Sequence, residues 1–159
     1  KLFLIGKPGF GSAQILLRIA KPPLLNKVEW LGWLPPAEVA KQLASSRGLL
    51  FPGQVEGFGI PVLDAWAVGV PVAVSAGGAL PEVTGSAGLV VPNNVEAWVA
   101  AIQELCYNDK LRTKLIMAGH SRLREFCWAK TAAATWQVFK LILEKPQPVK
   151  QGNYEANDD

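Results

Sequence analysis

One stretch limits the fold of this chain more than any other: Phe51-Pro52-Gly53-Gln54-Val55-Glu56-Gly57-Phe58-Gly59-Ile60-Pro61-Val62-Leu63-Asp64-Ala65-Trp66-Ala67. Gly48–Phe51 is a short apolar run closed by Pro52-Gly53, which reads as a buried strand ending in a turn. Gly57 and Gly59 permit backbone angles and close approaches that a Cβ forbids, and Pro61 suits the first turn of a helix. A glycine-rich strand exit that feeds a helix leaves N–H groups unpaired at the positive end of the helix dipole, a natural seat for phosphate.

Two carboxylates frame that seat, Glu56 on the loop and Asp64 in the helix. Ile60–Val70 is otherwise apolar apart from glycine, so the helix is expected to be buried nearly all round. A buried aspartate there needs compensation, unless it sits on a narrow solvent stripe or pairs with a lysine. Carboxylates accept hydrogen bonds from sugar and ribose hydroxyls while loop N–H groups take a diphosphate, and a nucleotide sugar has both parts. A hydrolase pair would stand roughly 5–10 Å apart across an open cleft. Mostly helical spacing at ~1.5 Å per residue puts these two acids ~10 Å or more apart, which disfavours that use.

Glu56-Gly57-Phe58-Gly59-Ile60-Pro61-Val62-Leu63-Asp64-Ala65-Trp66-Ala67-Val68-Gly69-Val70-Pro71-Val72 resembles the signature of the retaining family-4 (group 1) glycosyltransferases of GT-B architecture: a Glu, seven residues, then a second Glu. The likeness extends upstream through Trp30-Leu31-Gly32-Trp33-Leu34. Downstream it runs through Gly78-Ala79-Leu80-Pro81-Glu82-Val83-Thr84-Gly85 and Phe126-Cys127-Trp128, so that most of residues 1–144 is covered. Phe51-Pro52-Gly53 replaces the usual Pro-Ser, as in some mannosyltransferase-like members.

The resemblance implies a role for each position. Glu56, the catalytic-site acid, would lie beside the donor sugar; the N–H groups of Gly57, Phe58 and Gly59, with Ile60 at the helix start, would meet the sugar and its diphosphate. Asp64 would hold the ribose hydroxyls, and Trp33 and Leu34 would border the nucleobase. Asp64 departs from the pattern, being one methylene shorter than the usual Glu. Trp66 stands where the motif has Met and is expected to pack in the core. The implied reaction moves a sugar from a nucleoside diphosphate, a UDP- or GDP-sugar, to the hydroxyl of an acceptor sugar or lipid-linked sugar, with retention and no obligatory metal or other cofactor.

The fold class expected is α/β: a Rossmann-like parallel sheet with helices on both faces, the C-terminal half of a GT-B enzyme, because short apolar strands alternate with helical segments. Residues 1–144 would form the donor-binding domain and 145–159 a disordered tail. Lys1–Gly6 is already strand-like and the first residue is not Met, from which a fragment is expected. It would lack the N-terminal acceptor domain, its partner in cis, and the opening segment that carries an Arg and a Lys in the family. Alone it is expected to bind donor weakly and transfer little or nothing. Rival readings are a non-catalytic nucleotide- or sugar-binding relative and a signalling or flavin-binding doubly wound domain.

Half of the 159 residues are hydrophobic and 18% are charged, which argues a packed chain. A net charge of +3 suits an anionic donor but is too small to argue nucleic acid. No apolar run approaches the ~20 residues of a membrane span and no signal peptide is visible, so the expected location is cytoplasmic, with peripheral contact at the inner membrane face as an option. Cys106 and Cys127, with the single His120, cannot make a four-ligand zinc site and are expected to be reduced core thiols.

Smaller expectations complete the reading. Gly6–Ser12 lacks a P-loop ending and is taken as an ordinary strand-to-helix turn, with Ser12 an N-cap and Lys7 within reach of a donor phosphate. Ser75–Leu80 is taken as a second flexible strand exit bordering the same crevice as Gly57–Ile60. Asn94 and Asp109 are expected to cap helices, the first with Val95, Trp98, Val99, Ile102 and Leu105 on its packed face. Arg112, Lys114, Arg122 and Arg124 are read as solvated charges.

Overall fold

A computed structural model of the chain describes residues 1–144; the expected tail, 145–159, lies outside the described residues. The chain divides into two compact units, one from Lys1 to Leu123 and one beginning at Arg124.

The first unit alternates strands and helices. Strand β1 (Leu2–Ile5) leads to helix α1 (Ser12–Ile19), β2 (Val28–Gly32), α2 (Pro36–Ala44) and β3 (Leu49–Phe51). After α3 (Ile60–Ala67) come β4 (Val72–Ser75), α4 (Leu80–Thr84) and β5 (Leu89–Val91), and then α5 (Val95–Tyr107) and α6 (Asp109–Leu123). Among the described residues all strand pairings are parallel: β1 with β2, β3 with β4, and β4 with β5. Parallel neighbours need a crossover, and α1, α3 and α4 supply three of them.

The fold class is therefore α/β with parallel strands flanked by helices, as expected, but the strands form two ladders where one sheet was anticipated. Among the described residues these ladders are β1–β2 and β3–β4–β5. Leu2 N–H donates to Lys27 O at 2.9 Å and Gly6 N–H to Gly32 O at 2.8 Å, which by alternation turns the N–H groups of Phe3 and Ile5 to the open side of β1.

Burial is concentrated in β3–β5 and the helices around them. Ala73, on one side of β4, packs with Val91, Ala101, Leu105 and Leu115 from β5, α5 and α6. Val72 and Val74 alternate to the other side and are fully buried with Val62, Ala65 and Leu80. Trp66 is 1% exposed and lies against Gly119 of α6, where an added Cβ would collide with the indole ring, so its expected packing role holds.

Several local expectations are corrected. Ser12 does not cap α1; Gly11, with φ of 78°, takes the N-cap position and no side chain caps there. Asn94 does cap α5, accepting from Ala97 N–H at 2.8 Å. The buried side of α5 runs through Ala101 and Leu105, while Val95, Val99 and Ile102 are exposed, because the stripe begins at the half-buried Ala97 and Trp98. The cap of α6 is Asn108, whose Oδ1 accepts from Leu111 N–H at 3.0 Å. Asp109 instead binds Arg47 at 2.7 Å and Arg112 at 3.3 Å, and the hydrogen bond from Arg47 holds its carboxyl below the usual carboxylate range. Arg112 and Arg122 are anchored rather than solvated: Arg112 Nε donates to Arg47 O, and Arg122 donates to Val83 O at 3.2 Å and Glu82 O at 2.9 Å, the last turn of α4.

The second unit contains α7 (Trp128–Glu144), along which no residue is buried; Trp136 and Phe139 meet edge to face with ring centroids 6.4 Å apart. Cys127 is exposed and Cys106 half-buried, so neither is a core thiol. The backbone N–H groups of Lys130 and Ala129 bind the Cys127 sulfur and lower its pKa. Among the described residues no helix is long and apolar enough to cross a membrane.

Candidate functional site

In open α/β sheets ligands bind where parallel strands end and helices begin, so the exits of β3 and β4 are the place to look. After Phe51 the chain turns through Pro52-Gly53 and reaches Gly59, whose φ of 98° sets the entry to α3. Only a glycine adopts that angle without strain. Among the described residues the N–H groups of Gly57 and Gly59 make no hydrogen bond within the protein, and they stand at the N-terminus of a helix with Pro61 in its first turn.

Glu56 is half-buried, and its side chain folds back over Gly53: a Cβ on Gly53 would stand 2.6 Å from Glu56 Oε1 and 2.9 Å from its Cγ. The acid is thus laid along the strand exit instead of extending into solvent from the loop tip. Val55, next to it, is almost wholly exposed, and Gln54 and Gly57 are exposed as well.

Asp64 is exposed, which corrects the expectation of a helix buried nearly all round. Ile60, Asp64 and Ala67, at spacings of four and three, form a solvent stripe along α3, while Val62, Ala65 and Trp66 carry the buried side. Asp64 therefore needs no buried partner, and among the described residues it makes no ion pair or side-chain hydrogen bond. It shares its face with Ile60, one turn nearer the loop.

The exit of β4 lies against the exit of β3 along its whole length. Ser75 Oγ, in a side chain 2% exposed, donates to Gly53 O and accepts from Gly77 N–H at 3.4 Å. Gly77 packs on the backbone of Gln54, where a Cβ would collide with the Gln54 carbonyl. Gly78, with φ of 55°, packs on Glu56, where a Cβ would stand 2.6 Å from its N and 2.5 Å from its O. Ala79 N–H donates to that Glu56 O at 3.0 Å, and Leu80 packs its Cδ2 under Gly59. The second strand exit borders the first as expected, but it is a close-packed partner and not a loose turn. Sequence reasoning missed Ser75 and the reason for the glycine pair; the adjacent glycines after an apolar run were the available signal.

The exits of the other ladder carry Lys7 and Trp33. Trp30 Nε1 donates to Gly6 O at 3.0 Å, which ties the Gly6–Ser12 turn to β2, while Lys7 is exposed at its end. Trp33 is 61% exposed and Leu34 half-buried, directly after β2. A cavity of about 180 Å³ beneath this turn is lined by Leu4, Ile5, Lys7, Ser12, Ile15 and Trp30 among others, and a wider shallow depression lies at Gln103–Lys110; neither includes Glu56 or Asp64.

Residues 1–122 match the family model described as "Glycosyl transferases group 1". The chain belongs to that family. Among curated relatives of this group 1 chain, the O-antigen chain mannosyltransferase B of Escherichia coli is 35% identical over 142 residues, 89% of this chain and 37% of that protein. The MMP alpha-(1->4)-mannosyltransferase of Mycolicibacterium hassiacum is 36% identical over 132 residues, 80% of this chain and 32% of that protein. The chain thus spans about a third of the length of these relatives. Among solved structures, a sucrose-phosphate synthase from Thermosynechococcus elongatus matches with a TM-score of 0.78 at 24% identity, over 90% of this chain and 38% of that one. Anabaena Alr3699/HepE, solved in complex with UDP and glucose, matches at 0.73 and 17% identity, over 90% and 40%. At these identities the two likenesses speak to the fold.

Proposed function

We propose that this group 1 chain is the donor-binding, C-terminal domain of a retaining glycosyltransferase, and that its ligand is a nucleoside-diphosphate sugar. The amides of Gly57 and Gly59, with Phe58 between them and the start of α3 at Ile60 beside them, take the diphosphate, because the unpaired N–H groups of the two glycines at a helix N-terminus favour an anion. Glu56 accepts hydrogen bonds from the sugar and Asp64 from the ribose, with Trp33 and Leu34 at the base. The sugar then passes to an acceptor hydroxyl, on a sugar or lipid-linked sugar, presented by a further domain in cis. The helix terminus does at the phosphates part of what a cation would do, so no metal is obligatory.

One observation carries this reading. Asp64 stands on the open stripe of α3, one turn from the glycine-rich loop and without an ion pair among the described residues, where a ribose can reach it. The mannosyltransferase relatives and a fold neighbour holding UDP and glucose support the ligand class. Calorimetry with UDP, GDP, UDP-glucose and GDP-mannose tests it. One nucleotide and its sugar should give heat, and Asp64→Ala should weaken both by about tenfold, the worth of a hydrogen bond to a charged group. Absence of heat with all four ligands overturns the proposal.

A second reading, a non-catalytic nucleotide- or sugar-binding domain, is favoured by Asp64 itself, one methylene short of the Glu in the family's signature. Tighter nucleotide binding by Asp64→Glu, by tenfold or more, would support that reading; unchanged or weaker binding would support the first.

A further inference from the structure

The exits of β3 and β4 meet in sequence order, 53 with 75, 54 with 77, 56 with 78 and 79, and 59 with 80. The four meeting points use three devices. The first is a buried hydroxyl shared between Gly53 O and Gly77 N–H; the second and third are backbone surfaces that touch because neither glycine has a Cβ; the fourth is a leucine side chain filling the space under Gly59. Gln54, Val55 and Gly57 of this loop are exposed, and its Glu56 side chain lies over Gly53. Its backbone is held from outside.

We propose that Ser75–Leu80 is the positioning template of the donor loop: it fixes the peptide units of Gly53, Gln54 and Glu56 so that the Glu56 carboxylate is presented in one orientation to the donor sugar. Ser75, Gly77 and Gly78 act through Glu56 and do not touch the ligand. This rests on the reading of residues 53–60 as the donor loop, yet the template and the ligand can fail separately. The orientation matters because a hydrogen-bonding group displaced by about 1 Å can forfeit up to a hundredfold in rate.

Gly85 provides an internal control. Its φ of 53° is positive like the 55° of Gly78, so alanine is strained at both positions, but a Cβ on Gly85 meets only Arg122 atoms at 3.8 Å or beyond. The experiment compares Gly78→Ala, Ser75→Ala and Gly85→Ala in the full chain by two readouts. The first is NMR, through the exchange rate of the Ala79 amide and the order parameters of residues 54–58. The second is the ratio of affinities for nucleotide and nucleotide sugar, UDP against UDP-glucose and GDP against GDP-mannose. Gly78→Ala and Ser75→Ala should loosen the loop and cut the gain due to the sugar by about tenfold, with nucleotide affinity held within about twofold. Gly85→Ala should change neither.

Equal losses for nucleotide and nucleotide sugar, or a loop that stays ordered in both Gly78→Ala and Ser75→Ala, would overturn the template. If the loop loosens as expected while the unmutated chain binds none of the four ligands, the ordering of the loop by Ser75–Leu80 stands and the donor reading falls.

Discussion

Strands β1 and β4 are alike on paper, four residues each, apolar, parallel-paired and followed by a glycine-containing exit, yet every residue of β4 is buried and both end residues of β1 are exposed. The difference lies in what covers them. β4 has a neighbour on each edge, α5 and α6 on the Ala73 side and α3 and α4 on the other. Among the described residues β1 has one neighbour and α1 contributes no buried residue; Ile15 and Leu17 of α1 remain exposed, as does Phe10 before it. A parallel ladder is stable when both faces and both edges are covered, so the two halves of the first unit should respond differently to the same kind of damage.

The largest contrast should come from large-to-small changes. Trp66→Ala, behind β4, should lose ~3–5 kcal/mol in a denaturant titration, whereas Ile15→Ala on α1 should stay within ~0.5 kcal/mol. A comparable loss at Ile15 would mean that α1 is packed in solution as α3 is. Hydrogen exchange sharpens the same contrast: amides of β4 should exchange only by global opening and those of β1 and β2 through cheaper local opening. Next in size, Asn94→Ala removes the cap of α5 and should cost about 1 kcal/mol, with Asn94→Asp restoring most of it.

The smallest effect is a pH dependence at the junction of α5 and α6. Asp109, held below its ordinary pKa by Arg47 first and Arg112 second, contributes stability that is present above the unfolded value near ~3.9 and lost as pH falls through the lower folded value. Arg47→Ala should flatten that acid limb slightly, measured as the melting temperature between pH 5 and about pH 2.5. An unchanged limb would show that the exposed pair contributes nothing measurable.

Element identity was legible because apolar runs bounded by Gly and Pro mark parallel strands, and Pro36, Pro61 and Asn94 mark helix starts. The single turn-and-a-half of α4 escaped, since five residues with a proline in second place are too few to show a period. The solvent stripe of α3 was legible only as the alternative to full burial: Ile60 and Ala67 flank Asp64 at helical spacing, and apolar residues on an exposed face look like core in a sequence. Asp109 looked like a cap because caps and salt-bridge acids share residue types; Asn108, one position earlier, did the capping. Arg122 looked like a surface charge because its partners are carbonyls, which carry no side-chain signature. The pairing of Ser75–Leu80 with Gly53–Gly59 was legible only as two glycine-rich exits, because backbone contact between distant loops leaves a gap in side-chain size and nothing else.

The claim on which the functional account turns is that the glycine-rich loop and Asp64 face one nucleotide sugar. Amide NMR of the labelled chain titrated with UDP-glucose and, separately, GDP-mannose tests it most directly. The account predicts that one of the two shifts Glu56, Gly57, Phe58, Gly59, Ile60 and Asp64 together, saturating with a single affinity, while Gln103–Lys110 stays still. Shifts confined to Gln103–Lys110 or to the cavity under Lys7, with Gly57 and Asp64 unmoved, would contradict it.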